Sequence, residues 1–103
     1  MENLSAVTRL DIVGDLNIFN AAEQRLRLLE AFDAGGDVDV DLSHVSEIDT
    51  AGIQLLVAAK REAAARQQIL RFTNHSPAVF DILELCDLAG HLGDPLLIHS
   101  RTQ

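Results

Sequence analysis

The residue best suited to regulated chemistry in this sequence is Thr50, which follows Asp49 and precedes Ala51-Gly52. Apolar residues change to a helical period after Gly52, so the threonine hydroxyl is predicted at a helix N-terminus. A phosphate there would face backbone N–H groups and the positive end of the helix dipole. It would also add roughly −1.5 to −2 charge. The competing interpretation is that Thr50 or Asp49 is only the helix N-cap, and the local sequence favours it because capping threonines are common.

Gly52 also has two interpretations. It either allows a partner to approach closely or permits tight packing of the helix on the sheet. It belongs to no phosphate-binding loop, because neither GxxxxGK[ST] nor GxGxxG occurs in the chain. The common nucleotide-binding motifs are therefore excluded.

Four acidic residues are of the type that holds magnesium, namely Asp39, Asp41, Glu47 and Asp49. Asp39 and Asp41 share one face of a predicted strand, which suggests a receiver-like acidic pocket. Such a domain also needs a lysine at the end of a late strand, whereas the only lysine, Lys60, lies within a predicted helix. A solvated strand face is therefore the favoured interpretation.

No catalytic constellation is recognisable among the remaining residues. The histidines are scattered without HExxH or HxxxH spacing and occupy positions 44, 75, 91 and 99. Ser43, His44 and Asp49 are hydrolase residue types, but there is no GxSxG nucleophile elbow. Cys86 is the only cysteine and lies in an apolar helical pattern, typical of a core residue. We expect a protein that is not an enzyme and that needs no metal or cofactor.

The stretch 38–57 positions Thr50. Val38, Val40 and Leu42 alternate with aspartates, which predicts a half-buried strand. The alternation then weakens through residues 43–47, which predicts a loop. The helix that follows runs to about Arg66 and has one broad apolar face, formed by Ile53, Leu55, Leu56, Val57, Ala58, Ala59 and Lys60.

The N-terminal part is predicted to form a hairpin and a helix. Residues 6–13 and 16–18 form two strands joined by a Gly14-Asp15 turn. Asn20 with Glu23 makes a capping box. The helix buries one face and ends at Gly35-Gly36; the predicted buried residues are Ala22, Leu26, Leu29 and Phe32, with Glu23, Arg27 and Glu30 facing water.

The C-terminal part is predicted to contain a strand over 69–72, then a helix that begins at Ser76-Pro77. That helix buries Val79, Ile82 and Leu83. A short turn anchored by Leu88 and Leu92 and a last strand over 96–99 complete the chain. The predicted fold is α/β: a small mixed sheet of four to five strands with three to four helices, in a single domain spanning residues 1–103.

Composition narrows the class of partner. Acidic residues outnumber basic ones 16 to 8, and the formal net charge is −8. Nucleic acid and anionic membranes are therefore excluded as main partners, because both require clustered Lys and Arg. The sequence shows neither a signal peptide nor an apolar run of about 18 residues. We expect a cytoplasmic protein with no direct membrane insertion. The acidity is compatible with a protein partner that offers a basic face, although acidity by itself mostly reflects solubility.

The segment VDVDLSHVSEIDTAGIQLL resembles the central motif of STAS domains, the fold of bacterial anti-sigma factor antagonists. In that family a strand ending in Asp-Leu-Ser leads to a hydrophobic-Asp-Ser/Thr-x-Gly turn and a helix. The downstream segment LRFTNHSPAVFDILELCDLAGHLGD is similar to the family's next strand, Ser-Pro-capped helix and terminal turn. The similarity extends over residues 6–99. Threonine at position 50 and Asp87 depart from the pattern, because many members have serine and glycine there.

The resemblance implies that Thr50 is phosphorylated by an anti-sigma factor, a histidine-kinase-like Ser/Thr kinase, with Asp49 helping to orient the site. The unmodified form would bind that partner and release a sigma factor or another client. With the resemblance included, a functional role for Thr50 is favoured over a role as helix cap alone. The expected partner-binding surface spans residues 44–56 with Arg61 at its rim; its named members are Ser46, Glu47, Asp49, Thr50, Ala51, Gly52 and Gln54. The alternative is a non-catalytic subunit of a chemosensory or phospholipid-transport ABC complex that docks without phosphorylation.

Overall fold

The computed structural model describes residues 7–85, which form three strands and three helices in alternation. The elements, in chain order, are β1 (Val7–Leu16), α1 (Ala21–Asp33), β2 (Asp37–Ile48), α2 (Thr50–Ala65), β3 (Leu70–Thr73) and α3 (Pro77–Leu85). The predicted α/β class is confirmed. The predicted turn at Leu88 and Leu92, the strand over 96–99 and Cys86 lie outside the described residues.

The described sheet has the order β1-β2-β3, and both neighbouring pairs are parallel. β2 is therefore the central strand, and Thr50 follows directly from it. Leu10, Val40 and Phe72 lie side by side across the three strands and face the core. The next row, Arg9, Asp39 and Arg71, lies on the opposite face. One face of the sheet is thus apolar and covered, and the other carries charged side chains.

β2 continues to Ile48, through the residues predicted to be a loop. It advances from Asp41 to His44 while β1 advances only from Asp11 to Val13, which is the register shift of a β-bulge. The extra residue breaks the strict alternation, so Ser43 and His44 are both exposed before Val45 returns to the core. The prediction of a loop was wrong because a bulged strand loses the period of two.

The predicted N-terminal hairpin is also wrong. Residues 7–16 are one strand, and Gly14-Asp15 lies inside it at a second register shift. Gly14 has φ +93, a conformation that favours glycine. The glycine therefore accommodates an irregular strand rather than a reversal of the chain. As a result, β1 pairs parallel to β2 instead of antiparallel to residues 16–18.

Helix α1 begins and ends where predicted but buries a different face. Its N-cap is Asn20, yet the asparagine makes no side-chain cap hydrogen bond, so the capping box is wrong. Its buried residues are Leu28, Ala31 and Phe32, whereas Leu26 remains 59% exposed. The predicted termination is confirmed, because Gly35 and Gly36 have positive φ and the Gly35 N–H donates to the Phe32 carbonyl at 2.9 Å.

Helices α2 and α3 agree closely with the prediction. α2 contributes the buried residues Ile53, Leu55, Leu56, Ala59 and Ala63, whereas Ala58, predicted on the apolar face, is exposed. Lys60 lies at the edge of this face, with its ammonium 5.6 Å from the Phe72 ring centroid and donating to the Leu70 carbonyl. Ser76 caps α3, its hydroxyl accepting from the Val79 N–H at 3.2 Å. Val79 and Leu83 join the same core as the sheet and the other two helices.

Candidate functional site

The junction between β2 and α2 is organised by Asp49, which is the N-cap of α2. Its Oδ1 accepts from the Gly52 N–H at 3.1 Å, and its Oδ2 accepts from the Ile18 N–H at 3.3 Å. Its own N–H donates to the Leu16 carbonyl at 3.2 Å. Asp49 therefore joins the helix N-terminus to the segment that follows β1.

Thr50 is the first residue of α2, and its side chain is exposed. Of the two candidate caps in the sequence, the structure selects Asp49. The Gly52 N–H of the first turn is already occupied by that carboxylate. A phosphate on Thr50 would thus lie beside a negative charge that holds one of the donors expected to receive it. Thr50 is presented to solvent without being the capping residue.

Gly52 is buried, and its absent side chain is what permits the junction to close. A Cβ at this position would lie 2.8 Å from Ile48 Cγ1 and closer still to the Leu16 carbonyl oxygen. Real Cβ atoms essentially never approach that closely. Of the two interpretations of Gly52, close packing of helix on sheet is therefore the one that the structure supports.

The other predicted surface residues are brought to the same end of the sheet. Ser46 and Glu47 are exposed near the end of β2, Ala51 is half-buried, and Gln54 is exposed one turn after Thr50. Thr50, Gln54, Ala58 and Arg61 form an exposed stripe along α2. An open depression of about 470 Å³ lies beside it and is lined in part by Gln54 and Arg61.

Sequence reasoning missed two residues beside this site, Ile18 and Phe19. The sequence placed Ile18 in a strand, whereas the structure has it in the turn between β1 and α1. Ile18 is 69% exposed and Phe19 is 93% exposed. Two large apolar residues immediately before a helix-capping Asn20 were the available signal.

The carboxylates of the outer sheet face do not form the acidic pocket that was considered. Asp39 pairs with Arg71 at 3.0 Å, and Asp41 accepts from the Ser43 N–H at 2.7 Å and the Asn74 amide at 3.0 Å. Hydrogen bonds from the side chain and backbone of Ser43, with that from Asn74, hold the pKa of Asp41 below its usual value. These partners stabilise the charged carboxylate and occupy its oxygens.

The hydrolase residue types do not combine into a relay either. Ser43 Oγ lies 3.1 Å from His44 Nδ1, but the Asp49 carboxylate is engaged at the helix terminus. Within residues 7–85 no three His, Cys, Asp or Glu side chains come together as a metal-binding group. Across the same residues, no helix is both long and apolar enough to cross a membrane.

The family model described as "Mlab, STAS domain" matches residues 2–98. The chain belongs to the STAS family. The match covers the β2–α2 junction, which contains Asp49, Thr50 and Gly52. No curated protein sequence matches this STAS domain significantly.

Solved structures support the same STAS fold. A candidate anti-sigma factor antagonist from Thermotoga maritima superimposes with a TM-score of 0.75 at 18% identity, covering 92% of this chain and 84% of its own. A second structure, of the protein named Mglu, has a TM-score of 0.55 at 20% identity and covers 62% of this chain, which corresponds to 17% of Mglu. At these identities the likeness shows the fold alone.

Proposed function

We propose that this STAS domain is a non-catalytic regulator that binds a protein partner through the surface around Thr50. The unmodified form binds an anti-sigma factor, a histidine-kinase-like Ser/Thr kinase of bacterial type, and phosphorylation of Thr50 breaks the complex. The observation that carries the proposal is the position of Thr50: it is exposed at the start of α2 while Asp49 supplies the cap. A side chain that is not the cap can be modified or contacted without loss of the helix N-terminus.

Charge explains how the switch works. Glu47, Asp49 and Thr50 are all exposed at this junction. A phosphate of roughly −1.5 to −2 charge would add to two carboxylates that are already there. The Gly52 N–H, a helix-terminal donor of the kind that binds phosphate, is held by Asp49. A partner packed against the exposed Thr50 hydroxyl would have to accommodate and desolvate a dianion beside these carboxylates, and phosphorylation therefore breaks the complex.

The likeness to a candidate anti-sigma factor antagonist supports the partner class. The net charge of −8 supports a partner with a basic docking face. The exposed stripe of Thr50, Gln54, Ala58 and Arg61 supplies an extended contact along α2 rather than a single point. The proposed partner-binding surface consists of Ser46, Glu47, Asp49, Thr50, Ala51 and Gln54, with Arg61 at its rim. Gly52 is buried and contributes by allowing α2 to pack closely on the sheet.

The first experiment is intact mass measurement, with peptide mapping, of the protein isolated from its own cells. We expect a fraction carrying one phosphate, mapped to Thr50 and missing in Thr50→Ala. Protein that stays unmodified under many growth conditions would overturn the switch.

A second candidate function is a non-catalytic subunit of a chemosensory or phospholipid-transport ABC complex that docks through the same surface without modification. It is favoured by the carboxylate of Asp49, which already occupies the Gly52 donor and opposes a neighbouring phosphate. In this case Thr50 carries no phosphate in cells, and the affinity-tagged chain recovers components of a chemosensory or transport complex rather than a Ser/Thr kinase.

The docking surface itself is tested with a bulky charged substitution on the stripe. Gln54→Arg is expected to weaken the complex with the purified partner at least tenfold, since interface centres tolerate such changes poorly. Leu26→Arg, on the exposed side of α1, is the matched control and should leave affinity within twofold. Equal affinities for both variants would show that the partner binds elsewhere.

A further inference from the structure

We propose that Ile18 and Phe19 form an apolar anchor that inserts into a pocket, rimmed by Lys and Arg, on the same protein partner that contacts Thr50. This inference rests on the proposed function and extends its surface to a second loop. The term "anchor" is used below for these two residues alone.

The anchor differs from the other exposed apolar side chains of residues 7–84 in being a consecutive pair. Five large hydrophobic residues are exposed in that range, and Ile18 at 69% and Phe19 at 93% are the two that are adjacent in sequence. Single exposed apolar residues are normal on protein surfaces. Two consecutive ones at the tip of a turn form a contiguous apolar patch, which is the kind of feature that marks an interaction site.

The turn that carries the anchor is held rigidly by hydrogen bonds. The Asn17 N–H donates to the Asn20 side chain at 2.8 Å, the Phe19 N–H to the Asn17 side chain at 2.9 Å, and the Asn20 N–H to the Asn17 carbonyl at 3.1 Å. The Asn20 amide also donates to the Asp15 carbonyl. Because the backbone is fixed before binding, the entropy lost when a partner orders the loop is small.

The anchor is continuous with the Thr50 surface. The Ile18 N–H donates to Asp49 Oδ2 at 3.3 Å, and Asp49 immediately precedes Thr50. The Leu16 carbonyl, two residues before the anchor, accepts from the Asp49 N–H at 3.2 Å. A partner that covers Thr50 and the start of α2 therefore lies beside the anchor.

Charges around the anchor identify the chemistry of the pocket that would accept it. Asp15 and Glu47 are register partners on β1 and β2, both exposed, and Asp49 is exposed next to them. Three exposed carboxylates thus lie at the end of the sheet from which the anchor-bearing turn leaves. Such a surface is complementary to an apolar pocket lined at its edge by Lys or Arg, and it is repelled by anionic lipid and by a second copy of this acidic chain. Aromatic residues and arginine are also enriched in protein–protein interfaces.

The test uses photocrosslinking in the native cells. Benzoylphenylalanine is incorporated into the full chain at position 19, at position 54 on the proposed α2 surface, or at position 26 as the exposed control on α1. We expect the same protein adduct from positions 19 and 54 and none from position 26. An adduct from position 54 alone overturns the anchor and leaves the proposed function standing, whereas no adduct from either position overturns both. Different adducts from positions 19 and 54, an adduct from position 19 alone, or one from position 26 overturn the claim of a shared, localised interface.

Affinity then measures what the anchor contributes. With the purified partner from the crosslink, Phe19→Ser is expected to weaken binding at least tenfold and Leu26→Ser less than twofold. The association rate of the wild-type chain should fall as salt concentration rises, because the rim is charged. Equal affinities for the two variants, or a salt-independent rate, would overturn the proposal. So would Phe19-dependent self-association in sedimentation, or Phe19-dependent flotation with vesicles of phosphatidylcholine and phosphatidylglycerol.

Discussion

The backbone N–H of Ile18 donates to the carboxylate of Asp49 across 31 positions of sequence, with 3.3 Å between the amide nitrogen and Oδ2. The other oxygen of the same carboxylate caps α2 through the Gly52 N–H. One side chain thus satisfies two backbone donors from different parts of the chain. Because of this, the position of the β1–α1 turn and the start of the helix that carries Thr50 are linked.

Removal of this carboxylate is expected to loosen both segments. Asp49→Ala should lower the free energy of unfolding by about 0.5–2 kcal/mol, the usual range for loss of an N-cap. It should also speed hydrogen exchange at the Ile18 amide, which loses its acceptor. Urea denaturation measures the first effect and amide exchange by NMR the second.

Asp49→Asn separates the two contacts, since its side-chain oxygen can still cap the helix through the Gly52 N–H while its amide nitrogen cannot accept from the Ile18 N–H. We expect its unfolding free energy to lie between those of Asp49→Ala and the wild type, with hydrogen exchange at Ile18 as fast as in Asp49→Ala. If Asp49→Ala unfolds at the wild-type urea concentration and protects Ile18 equally, the carboxylate contributes nothing measurable to the junction.

Gly52→Ala is expected to destabilise the fold although alanine is the better helix former. Alanine gains about 0.8–1.0 kcal/mol over glycine in a helix interior. Against this, the new Cβ would meet Ile48 Cγ1 at 2.8 Å and the rigid backbone carbonyl of Leu16. Overpacking of this kind typically costs about 1–3 kcal/mol. The expected net result is a lower unfolding free energy in urea denaturation.

Gln54→Ala, at an exposed position of the same helix, is the control for helix propensity. We expect it not to lower the free energy of unfolding. A Gly52→Ala variant as stable as this control would mean that α2 shifts away from β1 without cost. In that case close packing would not explain the glycine.

The site was predictable from sequence where local chemistry determines it. A helix cap at Asp49 or Thr50, a helix that begins there and Gly52 in its first turn all follow from residue types within four positions, and the structure then selects Asp49 as the cap. The same holds for Ser76-Pro77 at the start of α3. In each case the side chain and its partner are neighbours in sequence, so no knowledge of the fold was needed.

Predictions from the sequence were wrong where the conformation or burial of a residue depends on a contact with a residue distant in the chain. Gly14-Asp15 is locally a turn signal, but β1 continues through it because β2 pairs along its whole length. Leu26 fits a helical period as well as Leu28 does, and only packing against the sheet and α2 determines which one is buried. The hydrogen bond between Ile18 and Asp49 could not be predicted for the same reason, since the two residues lie 31 positions apart.

Ser76→Ala is expected to lower the free energy of unfolding by about 0.5–2 kcal/mol, the range for loss of a helix cap. Ser76 is only 3% exposed, and its hydroxyl accepts from the Val79 N–H at 3.2 Å. Loss of the hydroxyl leaves that donor without its cap where water has little access. The measurement is urea denaturation, with exposed Ser46→Ala as control, for which we expect a change under about 0.5 kcal/mol. Equal effects of the two variants would contradict a capping role for Ser76.

The stability of the protein is expected to depend on the charge of Asp41 in acid. Hydrogen bonds from Ser43 and Asn74 hold the pKa of this carboxyl below its ordinary value of 3.8. A carboxyl whose pKa is lower in the folded state stabilises the fold at pH above the unfolded value. That contribution disappears as the pH falls through the folded value and the carboxylate takes up a proton.

Asp41→Asn removes the titrating group and keeps a side-chain oxygen that can accept from the Ser43 N–H. We expect the variant to be less stable than the wild type at pH 7, because it lacks the charge that strengthens these hydrogen bonds. The difference should begin to narrow as the pH falls below about 4 and continue to narrow through the lowered folded-state pKa of Asp41, because the wild-type carboxylate is progressively protonated. Urea denaturation at pH 7, 4 and 3 measures it, with Glu30→Gln on the exposed side of α1 as the control for acid effects in general. A difference between wild type and Asp41→Asn that is the same at pH 7 and pH 3 would show that the charge of Asp41 does not stabilise the end of β2.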